Sequence, residues 1–204
     1  MNREHLFQYT IPMLQEWVWG ATPSGFRRLH RDEAQMIVVR EGLDSHWLQE
    51  NFSGQSDSQT EASPFYGRGR LRFLHLGDGE RALVRAYRHG GIFRGVTGEL
   101  FFTWPPRPFG ELAITEEARR RGIPTLEVLA ACAQRIWGPF YRGWLITREL
   151  KDADDLWAAL ESERYAGAAR EPLLKSVAGS IQRMHRKGFV HRDLNLKNIL
   201  VRAE

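Results

Sequence analysis

The chain has 204 residues, a formal net charge of +4, 42% hydrophobic and 11% aromatic residues, and one cysteine. This is enough for a packed core in one domain, or in two small lobes around a cleft. It excludes an intramolecular disulfide, and no run reaches the roughly 20 apolar residues of a membrane helix.

Residues Met1–Tyr9 hold no continuous apolar stretch, so no signal peptide is expected and the cytoplasm is the default location. A strand is expected over Glu33–Arg40, where Met36-Ile37-Val38-Val39 is largely β-branched, and residues 51–64 are a small, polar surface loop. Leu71–Leu76 and Arg81–Tyr87, parted by Gly77-Asp78-Gly79-Glu80, predict a hairpin. The prolines of 104–108 break regular structure before a helix at Phe109–Arg121, which Gly122 and Pro124 close.

A second strand pair is expected at Leu126–Ile136 and Gly143–Leu150, turning at Gly138-Pro139. Asp152 is the expected cap of a helix holding Leu156, Trp157 and Leu160. In the last helix, Leu173, Leu174, Val177, Ala178, Ile181 and Met184 form one apolar face, with Pro172 in the first turn and Gly188 at the C-terminus. Strands followed by helices give an α+β fold: an N-terminal extension at 1–64, a sheet-rich lobe at 65–150, and part of a helical lobe at 151–204.

The basic balance suits nucleic acid, an anionic membrane surface or a phosphorylated ligand, and equally a solvated surface with no dedicated partner. Aromatic residues do not interleave with the basic ones as single-stranded nucleic acid needs, so no nucleic-acid partner is expected.

The richest segment is His191-Arg192-Asp193-Leu194-Asn195-Leu196-Lys197-Asn198, directly after the amphipathic helix. An aspartate and an asparagine five residues apart in such a loop match the catalytic loop of protein-kinase-like phosphotransferases; the plain alternative is a solvated polar turn. In the kinase reading, Asp193 accepts the proton of the attacking hydroxyl, Asn198 helps hold Mg2+, and Lys197 reaches the transferring phosphate of ATP. Serine kinases carry a lysine two residues after the aspartate, and Asn195 stands there instead.

A kinase cleft also needs amides over the phosphates, a cation on them, and a carboxylate to orient that cation. Gly67-Arg68-Gly69 stands where a phosphate-covering turn belongs, and Ala82-Leu83-Val84-Arg85 parallels a Val-Ala-Ile-Lys strand with arginine for lysine. Glu111, one turn into the helix that follows, is the partner expected for Arg85. Taken singly, two glycines describe any flexible turn, a strand arginine usually faces solvent, and a helix carboxylate is usually solvated; their order along the chain favours the cleft. Thr147-Arg148-Glu149-Leu150 is the expected hinge, where backbone groups, those of Glu149 among them, meet adenine.

With these segments in place, the chain resembles bacterial lipopolysaccharide kinases, above all the branch acting on 3-deoxy-D-manno-octulosonic acid (Kdo). The likeness rests on Gly67-Arg68-Gly69, Arg85-Ala86-Tyr87-Arg88-His89-Gly90-Gly91, Phe109-Gly110-Glu111 with Arg119–Pro124, and His191–Leu200. It implies a protein-kinase-like two-lobed fold, ATP and Mg2+ as cofactors, a Kdo–lipid A or lipopolysaccharide-core acceptor, and a peripheral position on the cytoplasmic face of the inner membrane. It also implies an Asp-Phe-Asp or Asp-Phe-Gly segment whose aspartate binds magnesium, expected beyond Glu204, so that the second lobe is truncated. The other readings are a catalytically inactive nucleotide-binding protein and a protein-serine/threonine kinase, the latter disfavoured by Asn195.

Overall fold

The computed structural model describes residues 20–30, 34–44, 72–77, 79–87, 100–103, 105–191 and 193–202. The polar 51–64 loop, Gly67-Arg68-Gly69 and Arg88–Gly91 lie outside the described residues. Six strands form one antiparallel sheet: β1 (Phe26–His30), β2 (Gln35–Arg40), β3 (Arg72–Gly77), β4 (Glu80–Ala86), β5 (Val128–Trp137) and β6 (Phe140–Arg148), in the order β1-β2-β5-β6-β4-β3. With the helices that follow, this is an α+β, kinase-like fold. β1 and β2 come from the 1–64 segment and join the sheet through β5.

The β-branched run of β2 and the alanine-rich start of β5 are buried residue after residue, because side chains alternate between two packed faces. On one face Met36, Val38, Ala131, Ala133, Tyr141 and Leu145 meet Phe109 and Leu112 of helix α1 (Arg107–Arg120). Ile37, Val39, Ala130, Cys132 and Ile146 pack with Leu74, Ala82 and Val84 in a second cluster. Gly143 of β6 is what lets α1 approach so closely: a Cβ there would lie 2.5 Å from the Pro108 ring. Two tight turns need glycine, Gly79 (φ 71°) between β3 and β4 and Gly138 (φ 50°) between β5 and β6.

Asp152 does not cap a helix. It sits at φ 54°, and strand β7 (Ala153–Asp155) pairs with β8 (Leu200–Arg202), so the helix cannot start before residue 156. Asp155 is the cap instead: its carboxylate accepts the Ala158 N–H at 2.8 Å and opens α2 (Leu156–Glu161).

Helix α3 (Arg170–Arg186) follows two 3-10 turns and carries Pro172 in its first turn as expected. Its apolar stripe is only partly covered. Leu173 and Val177 pack with Leu156, Ala159, Ile199 and Val201, while Leu174 stays 45% exposed. Gly188 (φ 79°) ends the helix in a Schellman motif, in which Gly188 N–H donates to the His185 carbonyl and Phe189 N–H to the Met184 carbonyl.

Candidate active site

Two clusters hold the described residues expected to act. The first lies where β4 faces α1. Arg85 on β4 and Tyr87 just past its end are two apart along extended chain, so both point to the α1 side. Both reach Glu111: Arg85 donates from Nη2 to Oε1, and the Tyr87 hydroxyl donates to Oε2. The guanidinium also lies 5.2 Å from the Tyr87 ring centroid, within cation–π range. Burial works against the Arg85 charge, but Glu111 and Tyr87 outweigh it and raise its pKa above the usual arginine value. Burial and the Glu111 carboxylate together drive the Tyr87 phenol far above its ordinary range, so it stays a donor. The result is a strand cation, half-exposed, braced from two sides. Tyr87 is the member that residue-by-residue reading passed over, although the Arg-x-Tyr alternation along a strand was visible in the sequence.

The second cluster is the turn after α3. Asp193, Asn195 and Asn198 are all exposed. Asn198 donates from Nδ2 to the Asp193 carbonyl at 2.7 Å and to Asp193 Oδ2 at 3.3 Å. Those bonds commit its nitrogen and leave the amide oxygen, the atom suited to a hard cation. Asn195 caps the short 3-10 turn Leu196–Asn198: its Oδ1 accepts the Lys197 N–H at 3.0 Å, and its Nδ2 donates to Asp193 Oδ1 at 3.2 Å. A lysine at 195 has no acceptor and could not serve both ends of this bridge. His191 Nδ1 accepts the Asp193 backbone N–H at 3.3 Å. The side chain of Lys197 is solvent-exposed.

The apolar runs beside this turn divide. Ile199 and Val201 pack into the core with α2, and Leu156 N–H donates to the Ile199 carbonyl at 2.8 Å. On the other side Val190 is 78% exposed, while Phe189 lies under the Arg121 guanidinium.

Glu149, in the segment expected to be the hinge, faces Arg81. Its carboxylate grips Arg81, Nε to Oε2 at 2.6 Å, and its N–H donates to the Arg81 carbonyl at 2.9 Å. It therefore ties the end of β6 to β4, because an ion pair between neighbouring strands satisfies both charges locally. Arg148 beside it pairs with Glu127 and Glu80. Gly67 and Gly69 lie outside the described residues.

Among the described residues no group of three His, Cys, Asp or Glu side chains could cage a metal. The donors present suit Mg2+ differently: one amide oxygen from Asn198 beside a carboxylate fits an ion that arrives on nucleotide phosphates and keeps part of its water shell.

The antiparallel sheet with its braced Arg85, and the helix that leads into the Asp193–Asn198 turn, have the layout of the kinase-like fold class. The sequence matches the lipopolysaccharide kinase (Kdo/WaaP) family over residues 56–204, and the chain belongs to that family. Among curated proteins it is 32% identical to a 3-deoxy-D-manno-octulosonic acid kinase of Vibrio vulnificus over 141 residues, covering 68% of this chain and 57% of that protein. Proteins of the same name from Actinobacillus succinogenes (66% of this chain, 57% of that protein) and Xylella fastidiosa (66% and 53%) are each 31% identical. The chain thus spans little more than half the length of these relatives.

Proposed function

We propose that the protein takes part in ATP-dependent phosphoryl transfer to a sugar hydroxyl of a Kdo-containing lipopolysaccharide acceptor, at the cytoplasmic face of a membrane. The observation that carries this reading is the Asp193–Asn198 pair, exposed and locked five residues apart. Asp193 accepts the proton of the acceptor hydroxyl as its oxygen attacks the γ-phosphorus. The bond from that phosphorus to the bridging oxygen breaks, and ADP departs with the bond's electrons.

Arg85 lies against the nucleotide phosphates, oriented by Glu111 and Tyr87, and Lys197 adds positive charge at the transferring group. Gly67 and Gly69 supply backbone amides over the phosphates, and the end of β6 near Glu149 borders the adenine. Mg2+, held on the phosphates with Asn198 Oδ1 as a protein ligand, supplies charge neutralisation. The family match and the relatives' names support the acceptor class.

The test is transfer of labelled γ-phosphate from ATP to Kdo–lipid A, alongside thermal-shift titration with ATP. Asp193→Ala should abolish transfer while ATP still stabilises the protein. Transfer that survives Asp193→Ala sinks the assignment. Stabilisation by ATP with no transfer by the unaltered chain favours a nucleotide-binding protein without turnover.

A further inference from the structure

The hairpin joining β5 to β6 ends in an exposed aromatic cluster that the phosphotransfer reading leaves unused. Trp137 is 73% exposed and stacks on Phe140, ring centroids 5.8 Å apart and planes 14° from parallel. Phe102, 68% exposed, meets the same Phe140 ring at 6.0 Å. Ile136 next to them is also exposed. Water-facing aromatics gathered at one tip are costly for a soluble surface, and such a patch marks a place that another phase or partner covers.

The charges around it say which. From Val128 to Arg148 the hairpin carries three arginines and no aspartate or glutamate. Arg148 is at the far end, in its ion pairs with Glu127 and Glu80. Arg135 and Arg142 stand near the tip, and Arg142 shares Phe140's face of β6 because the two are two residues apart. Tryptophan and phenylalanine seat at the boundary between headgroups and acyl chains, and neighbouring arginines add attraction to anionic headgroups. The tip is also set apart from the proposed phosphate cation: Arg85 pairs with Leu145, five residues along β6 from Phe140, or roughly 17 Å of strand.

We infer that the β5–β6 tip, through Trp137, Phe102 and Phe140 flanked by Arg135 and Arg142, docks the protein onto an anionic phospholipid bilayer. This rests on the proposed membrane-surface location, but it needs no phosphoryl transfer, so the two can fail separately. Docking there holds the sheet end-on to the lipid and leaves the Arg85 face accessible from the side.

The test is sedimentation with phosphatidylcholine vesicles, with and without phosphatidylglycerol, in the absence of nucleotide. The protein should partition onto the anionic vesicles, and brominated lipid should quench its tryptophan fluorescence. The double variant Trp137→Ser, Phe102→Ser should lose about tenfold or more in partition. Arg142→Glu should lose at least about fivefold, with far-ultraviolet circular dichroism unchanged in both. Equal partition of the double variant and the parent, or equal binding to neutral and anionic vesicles, overturns the proposal. So does a dimer that the double variant dissociates without any change in lipid binding, which would make the tip a protein interface.

Discussion

Arg121 and Lys187 hold each other by the backbone: Arg121 Nη1 donates to the Lys187 carbonyl at 3.2 Å, and Lys187 Nζ donates to the Arg121 carbonyl. One residue follows the end of α1, the other follows the end of α3, and the Arg121 guanidinium also covers Phe189 at the entrance to the Asp193 turn. The helix that bears Glu111 is thereby fastened to the segment that delivers Asp193. Exposed contacts of this kind contribute under about 1 kcal/mol to stability. Arg121→Ala should therefore leave the thermal midpoint nearly unmoved while speeding amide exchange over 189–191. Unchanged exchange there would show that the two helix ends are held by other means.

The brace on Arg85 can be weighed by a double-mutant cycle. Arg85→Ala and Glu111→Ala should each weaken ATP binding in calorimetry, and the pair together should weaken it by less than the sum. The coupling expected for a half-exposed pair is about 0.5–1 kcal/mol. Tyr87→Phe should have the smaller effect, since Arg85 still reaches Glu111. Strict additivity in the cycle would remove Glu111 from the role of orienting Arg85.

Gly143→Ala puts a methyl group into the Pro108 ring, itself fully buried at the start of α1. Either the strand or the helix must shift, an overpacking cost of about 1–3 kcal/mol. Chemical denaturation should show it as a lower midpoint at an unchanged slope. A variant as stable as the parent would mean that α1 is not seated as closely as described.

Acid should act partly through Glu127. Burial alone would raise its carboxyl, but the hydrogen bond and charge of Arg148, with Arg40 and Arg119 behind them, hold it below the usual carboxylate range. A carboxyl lowered on folding contributes stability that is fully present above its unfolded value. That stability is lost as pH falls through the folded one. Glu127→Gln should thus be less stable than the parent at neutral pH, and the gap should close below about pH 4.5. A gap that stays constant down to pH 3 would contradict the sign.

Much of the architecture was legible because local chemistry agreed with the tertiary outcome. The Ile-Val-Val run of β2, the glycine turns at Gly79 and Gly138, and the proline-led α1 each dictate a single local structure, and the sheet satisfies all of them. Asp152 misled because cap preference is blind to pairing: only the contact of β7 with β8, some fifty residues apart, moves the helix start to Asp155. The Arg81–Glu149 ion pair was hidden for a related reason, since the two residues are adjacent only once β4 lies beside β6. The exposed side of α3 was invisible too, as periodicity states which residues are apolar and not whether anything covers them. At the site, the Asp193 turn was readable as a motif, whereas the place of Tyr87 needed the sheet.

The Schellman turn at Gly188 fixes the direction in which the chain leaves α3, and so sets the compass bearing of Asp193 about the helix axis. One residue inserted within α3 would swing that bearing by about 100°. An insertion of about seven residues would restore it to within roughly 20°, but would carry the turn about 10 Å further along the axis. Insertions within α3 should therefore be poorly tolerated at any length, because one that restores the bearing still displaces the turn from the β7–β8 pairing that follows it.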